Sequence, residues 1–128
     1  MEAVILAGGF GTRLSHIVSE VPKPMAPVAD RPFLEYILDN LNKNGFKKVV
    51  LAVGYKRESI IGYFGNQYKD ITLVYSPEDE PLGTGGAVKR ALDFCGEKNV
   101  FVLNGDTFAE VDYEEMVRYH QDNGSDLT

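Results

Sequence analysis

Four short apolar runs confine this chain to a narrow range of folds. They are AVILA (3–7), VVLAVG (49–54), ITLVYS (71–76) and NVFVLNGD (99–106). Near-continuous runs of this length read as strands buried on both faces, the signature of a parallel sheet. The segments between them change period. Phe33, Leu34, Ile37, Leu38 and Leu41 form an i, i+4 stripe that opens after Pro32 and stops at Asn44-Gly45. A second helix is expected over 56–64, with Ile60, Ile61 and Phe64 apolar and Gly65 as its stop. A third is expected from Ala87 to Cys95, closed by Gly96, and a fourth from a capping box at Asp112 and Glu115 to about His120. Strand and helix alternate, so the class is α/β with a mostly parallel sheet.

The 128 residues suit one domain, and 44% hydrophobic with 25% charged residues is the composition of a soluble globular protein. A lone cysteine, Cys95, allows no internal disulfide, which fits a reducing, cytoplasmic setting. No run approaches the ~20 apolar residues of a membrane helix. The formal charge of −6 argues against nucleic acid or a membrane surface as a partner. That charge is uneven: Arg13 and Lys23 face only Glu20 in the stretch 8–28, whereas 78–80 is Glu-Asp-Glu. A phosphate group favours the first region. The closing residues SDLT (125–128) read as the start of a further strand. The expectation is an N-terminal fragment whose unpaired apolar strand edge promotes homo-oligomers.

Residues 8–31 hold three glycines, three prolines and no clear period. A loop of that length in a compact domain is usually functional. Known phosphate loops fail on particular residues. In Gly9-Phe10-Gly11-Thr12-Arg13-Leu14, Leu14 stands where a dinucleotide fingerprint needs its third glycine, and no lysine follows Gly11 as a P-loop requires. Ligands of open parallel sheets bind beyond the carboxyl ends of the strands. Three strands end there in suggestive residues: Gly8-Gly9, the segment Ser76–Gly86, and Asn104-Gly105-Asp106.

Taken singly, a glycine pair is a turn, an arginine a solvated charge and an aspartate a cap. Together the motifs resemble one family. LAGGFGTRL (6–14) with Pro22-Lys23-Pro24-Met25 is similar to the L-x-x-G-x-G-x-R-L…P-K-P signature of sugar-1-phosphate nucleotidylyltransferases. EPLGTGGA (80–87) resembles that family's base-binding segment, and LNGD (103–106) its metal-binding strand end. The resemblance spans essentially the whole chain. It implies a Rossmann-like, three-layer α/β/α nucleotidyltransferase fold, of which 1–128 is the nucleotide-binding part. It also implies transfer of a nucleotidyl group from a nucleoside triphosphate to a sugar 1-phosphate, with release of pyrophosphate.

Such a reaction needs charge neutralisation and in-line positioning more than a general base, because the attacking phosphate is already anionic. The resemblance assigns Arg13 to the triphosphate, with the backbone of Gly11 and Thr12 beside it. Lys23 becomes a point charge where the phosphates of the two substrates meet. Asp106 becomes the Mg²⁺ ligand. Leu6, Ala7, Gly8 and Gly9 lie along the nucleotide, and Gly83 and Thr84 along its base. Glu78 is expected to read that base. A glutamate offers only acceptors, which complement the neighbouring N1–H and N2–H₂ donors of guanine, whereas a glutamine suits a pyrimidine. The favoured substrate is therefore GTP, with Glu80 as a competing reader. Within the family the pattern is closest to heptose and mannose 1-phosphate guanylyltransferases, the heptose subgroup first. Two other readings stay open: a nucleotide-binding fragment without turnover and, disfavoured by Leu14, a dinucleotide-dependent oxidoreductase.

Overall fold

A computed structural model of the chain describes residues 1–8, 22–54, 56–80, 82–108 and 110–127. The first apolar run becomes strand β1 (Glu2–Ala7). A 3₁₀ turn (Lys23–Met25) leads into a two-residue hairpin, β2 (Pro27–Val28) and β3 (Arg31–Pro32), and then α1 (Phe33–Lys43). There follow β4 (Lys48–Val53), α2 (Arg57–Phe64), β5 (Gln67–Tyr68) and β6 (Ile71–Pro77). Helix α3 (Gly83–Leu92), β7 (Phe101–Asn104) and α4 (Tyr113–Asp122) complete the order.

The main sheet runs β5-β6-β4-β1-β7 and is parallel except for the short edge strand β5. Succession moves from β1 outward through β4 to β6, then jumps back to β7 on the other side of β1. Crossovers keep one hand, so reversing direction moves the connecting helix to the opposite face. The packing follows this rule. Leu34, Ile37, Leu38 and Leu41 of α1, with Ile60 and Phe64 of α2, join Ile5, Leu51, Val53 and Leu73 in one core. Ala91 of α3 packs against Val4 and Val50 on the reverse face. The result is a three-layer α/β/α arrangement with a switch point at β1.

Three sequence expectations are corrected. The third helix starts at Gly83 rather than Ala87 and ends at Leu92 rather than Cys95. Gly83 takes a left-handed φ of +72°, which turns the chain into a helix that takes in Gly85 and Gly86. The fourth strand is shorter than 99–106 because only Phe101–Asn104 pair with β1. Residues 125–127 form no strand. Cys95 is half-buried beside Val4, Val50 and Ala91. Tyr113 is buried edge-on against Phe46 and Phe101, and the side chain of Asp112 caps α4 by accepting from the Glu115 N–H.

The hairpin after the 3₁₀ turn is tied to α1. Tyr36 donates to the Val28 carbonyl, and Arg31 pairs with Glu35 and Asp39. Burial alone raises the pKa of Asp39, but hydrogen bonds from Lys69, Tyr68 and Arg31 outweigh it and hold the carboxyl at about 2.

Candidate functional site

Three carboxyl-terminal strand ends, those of β1, β6 and β7, meet around the switch point. Gly8 follows β1, and the carboxylate of Glu78 lies directly over it. A Cβ built on Gly8 would sit 3.2 Å from Glu78 Oε1 and 3.3 Å from the Ala52 carbonyl. The missing side chain at Gly8 therefore makes room first for the protein's own carboxylate. Ala7 is buried and Leu6 half-buried in the strand beneath.

Glu78 is 6% exposed. Its N–H donates to the Val53 carbonyl at 2.8 Å, which carries the β6–β4 ladder one residue past Pro77. Burial pushes its carboxyl pKa up. The Leu82 N–H and the charge of Arg90 act in the other direction without reversing the shift. Among the described residues no lysine or arginine forms an ion pair with it. Glu80, the competing reader, is exposed, and so is Asp79. Gly83 and Thr84 form the exposed first turn of α3, which has no side-chain cap.

On the other side of β1, Gly105 donates its N–H to the Leu6 carbonyl at 2.9 Å. A Cβ on Gly105 would meet that same oxygen at 2.9 Å and Pro24 Cγ at 3.1 Å. Pro22 and Pro24 are buried, whereas Lys23 between them is exposed. The two prolines are the feet of the turn and the lysine is its projecting head. The Met25 N–H donates to Pro22 O and the Ala26 N–H to Lys23 O, which closes the turn. Since Pro24 touches Gly105, Lys23 and Asp106 are each one residue from the same contact. Asp106 is exposed and accepts from the Thr107 hydroxyl at 3.2 Å. Among the described residues, no three His, Cys, Asp or Glu side chains gather as a metal-binding cluster. Gly9, Gly11, Thr12 and Arg13 lie outside the described residues.

Two residues escaped the sequence reading. Arg57, at the start of α2, donates from Nη1 to the Glu78 carbonyl at 3.2 Å and to Asp79 Oδ1 at 3.0 Å. Ser76 is fully buried, and its hydroxyl has no hydrogen-bond partner among the described residues. Arg57 carries no motif and works across 21 positions; Ser76 announced itself only as a polar residue ending an apolar strand.

Comparison with known proteins bears on the family and the fold. The nucleotidyl transferase family profile matches residues 2–128. A D-glycero-alpha-D-manno-heptose 1-phosphate guanylyltransferase of Aneurinibacillus thermoaerophilus is 53% identical over the whole chain, which covers 56% of that relative. One from Campylobacter jejuni is 52% identical over 91% of the chain and 52% of its own length. The crystal structure of HddC from Yersinia pseudotuberculosis complexed with GMP-PN superposes with a TM-score of 0.85 at 36% identity, over 94% of this chain and 54% of that one. The chain spans about half the length of these relatives. Among the described residues no helix is long and apolar enough to cross a membrane. With a family profile matched from Glu2 to Thr128 and the strand-end motifs brought to one end of one sheet, the chain belongs to the nucleotidyl transferase family.

Proposed function

We propose that this chain supplies the nucleotide half of a guanylyltransferase that joins GTP to a sugar 1-phosphate, D-glycero-α-D-manno-heptose 1-phosphate first, and releases pyrophosphate. The observation that carries the guanine assignment is the buried carboxylate of Glu78. It lies over Gly8 with no ion pair among the described residues. Such a group offers acceptors and demands donors, and guanine presents two side by side. The relatives named for guanylyl transfer support the same reading.

The remaining roles follow from charge. Lys23, lifted on its two prolines, neutralises phosphate oxygens where attack on the α-phosphorus takes place. Arg13 does the same along the triphosphate, beside the backbone of Gly11 and Thr12. Leu6, Ala7, Gly8 and Gly9 form a floor for ribose and base, with Gly83 and Thr84 at the base edge. The residues present fit Mg²⁺: Asp106 is an exposed hard oxygen donor at a strand end, and the ion takes one or two carboxylates while phosphates and waters complete its shell. When bound, it neutralises phosphate charge. Asp106→Asn should raise the Mg²⁺ concentration needed for half-maximal turnover by roughly tenfold, read from a metal titration; an unchanged midpoint removes Asp106 from the metal.

The experiment for the whole reading is pyrophosphate release from GTP or UTP with heptose or mannose 1-phosphate. Release with GTP and the heptose is expected. GTP binding without release would leave a nucleotide-binding module, and preference for mannose would move the acceptor within the family. Glu78→Gln should lower the GTP/UTP ratio of kcat/KM by roughly tenfold or more, and an unchanged ratio sinks the guanine assignment. The pH dependence has a definite sign. Because burial raises the Glu78 carboxyl pKa, protonation removes the acceptor pair at a higher pH than for a solvated glutamate. KM for GTP should therefore rise as pH falls through that region, and the Glu78→Gln profile should be flat there. The linked stability effect runs the opposite way to an ion-paired acid. A raised pKa means that the folded state holds its proton longer, so this group lowers stability as pH rises through its window.

A further inference from the structure

The backbone of Glu78 is held on both sides by different elements. Its N–H donates to the Val53 carbonyl of β4, and its carbonyl accepts from Arg57 of α2. The first of these is ladder bonding, which any non-proline residue at this position would make. Only the second reaches the segment from an independent helix through a side chain.

We propose that Arg57 is a positioning residue for nucleobase selectivity, aiming the Glu78 carboxylate by clamping the backbone of residues 78 and 79. The proposal rests on the reading of Glu78 as the guanine reader. A single guanidinium nitrogen, Nη1, donates to both the Glu78 carbonyl and the Asp79 carboxylate. A fork closing on two acceptors one residue apart fixes the peptide plane between them. That plane sets where the Glu78 side chain leaves the backbone, and a bidentate contact to guanine tolerates little error in direction. Asp79, 86% exposed on its side chain, makes an ion pair too solvated to add much stability. Its place beside Glu78 is accounted for by geometry instead. The acidic run Glu78-Asp79-Glu80 thus divides into a buried acceptor, a counter-ion for the clamp and an exposed residue.

The test compares GTP with inosine triphosphate, which lacks the N2 amino group, in the full-length protein. Arg57→Met keeps the aliphatic stem and removes the donors. It should reduce the GTP/ITP ratio of kcat/KM by roughly tenfold, through KM, while kcat at saturating GTP stays within about twofold. Arg57→Lys should restore most of the ratio. Asp79→Ala, which changes only an exposed side chain, should lower the ratio in the same direction but less. Glu78→Gln run in parallel separates the two layers of inference. If it collapses the GTP/ITP ratio while Arg57→Met and Asp79→Ala do not, Glu78 stands as the reader and the clamp is overturned. If Glu78→Gln leaves the ratio unchanged, the reading of Glu78 falls and the clamp with it. A uniform loss for all nucleotides in Arg57→Met, with no rescue by lysine, makes Arg57 merely structural and also overturns the proposal.

Discussion

Gly105→Ala should destabilise the protein by about 2 kcal/mol and lower turnover by roughly tenfold or more. The added methyl has nowhere to go. It would lie 2.9 Å from the Leu6 carbonyl, 3.1 Å from Pro24 Cγ and 3.4 Å from Ile5 Cγ2. Two of these neighbours belong to the central strand and cannot retreat without disturbing the core. The softest is Pro24, so relief of the clash moves the turn that carries Lys23. Stability and turnover therefore fail together, which urea denaturation and a pyrophosphate assay would read in parallel. Gly62→Ala is the control. Gly62 lies inside α2, and its added Cβ would meet nothing within 4 Å. Alanine there should stabilise the helix by roughly 0.5–1 kcal/mol with turnover intact. A well-tolerated alanine at 105 would show that Pro24 does not seat the turn.

Lys23→Met should cost turnover on the order of 10²- to 10³-fold with little change in Tm. The two expectations separate because Lys23 is exposed while its flanking prolines carry the packing. Methionine keeps the stem and removes the charge. Fold and GTP affinity should survive, since Glu78 and Gly8, the proposed base site, lie at other strand ends. What disappears is charge neutralisation where phosphate oxygens crowd together during transfer. Equal thermal melts with near-normal turnover would take Lys23 out of the mechanism.

Much of this architecture is legible in the chain because buried parallel strands read as unbroken apolar runs. AVILA, VVLAVG and ITLVYS fall within a residue or two of β1, β4 and β6, and the stripe from Phe33 to Leu41 marks α1. The hairpin at 27–32 is not legible, since strands of two residues have no period to display. Nor is the start of α3, where four residues, three of them glycine, do the work of a helix N-terminus although their propensity argues for a loop. For the site, the strand-end motifs pointed to a common crevice, and the Gly8–Glu78 and Pro24–Gly105 contacts give two of its corners. Arg57 stayed hidden because its partners are a backbone carbonyl and an exposed carboxylate, neither of which leaves a pattern in residue types.

The position of β1 between β4 and β7 also bears on how the chain is made. Its residues leave the ribosome before those of either neighbour, so Glu2 must wait for Lys48, and Ala3 for Phe101, before both edges of the strand are paired. Throughout that interval an apolar, β-prone segment is without its neighbours, the circumstance in which nascent chains pair wrongly or call on chaperones. The proposed nucleotide floor is built on the carboxyl end of that strand, so it comes into being only when the last neighbour has docked. Retention on immobilised GTP would then select chains whose sheet has closed, and serve as a folding assay independent of catalysis.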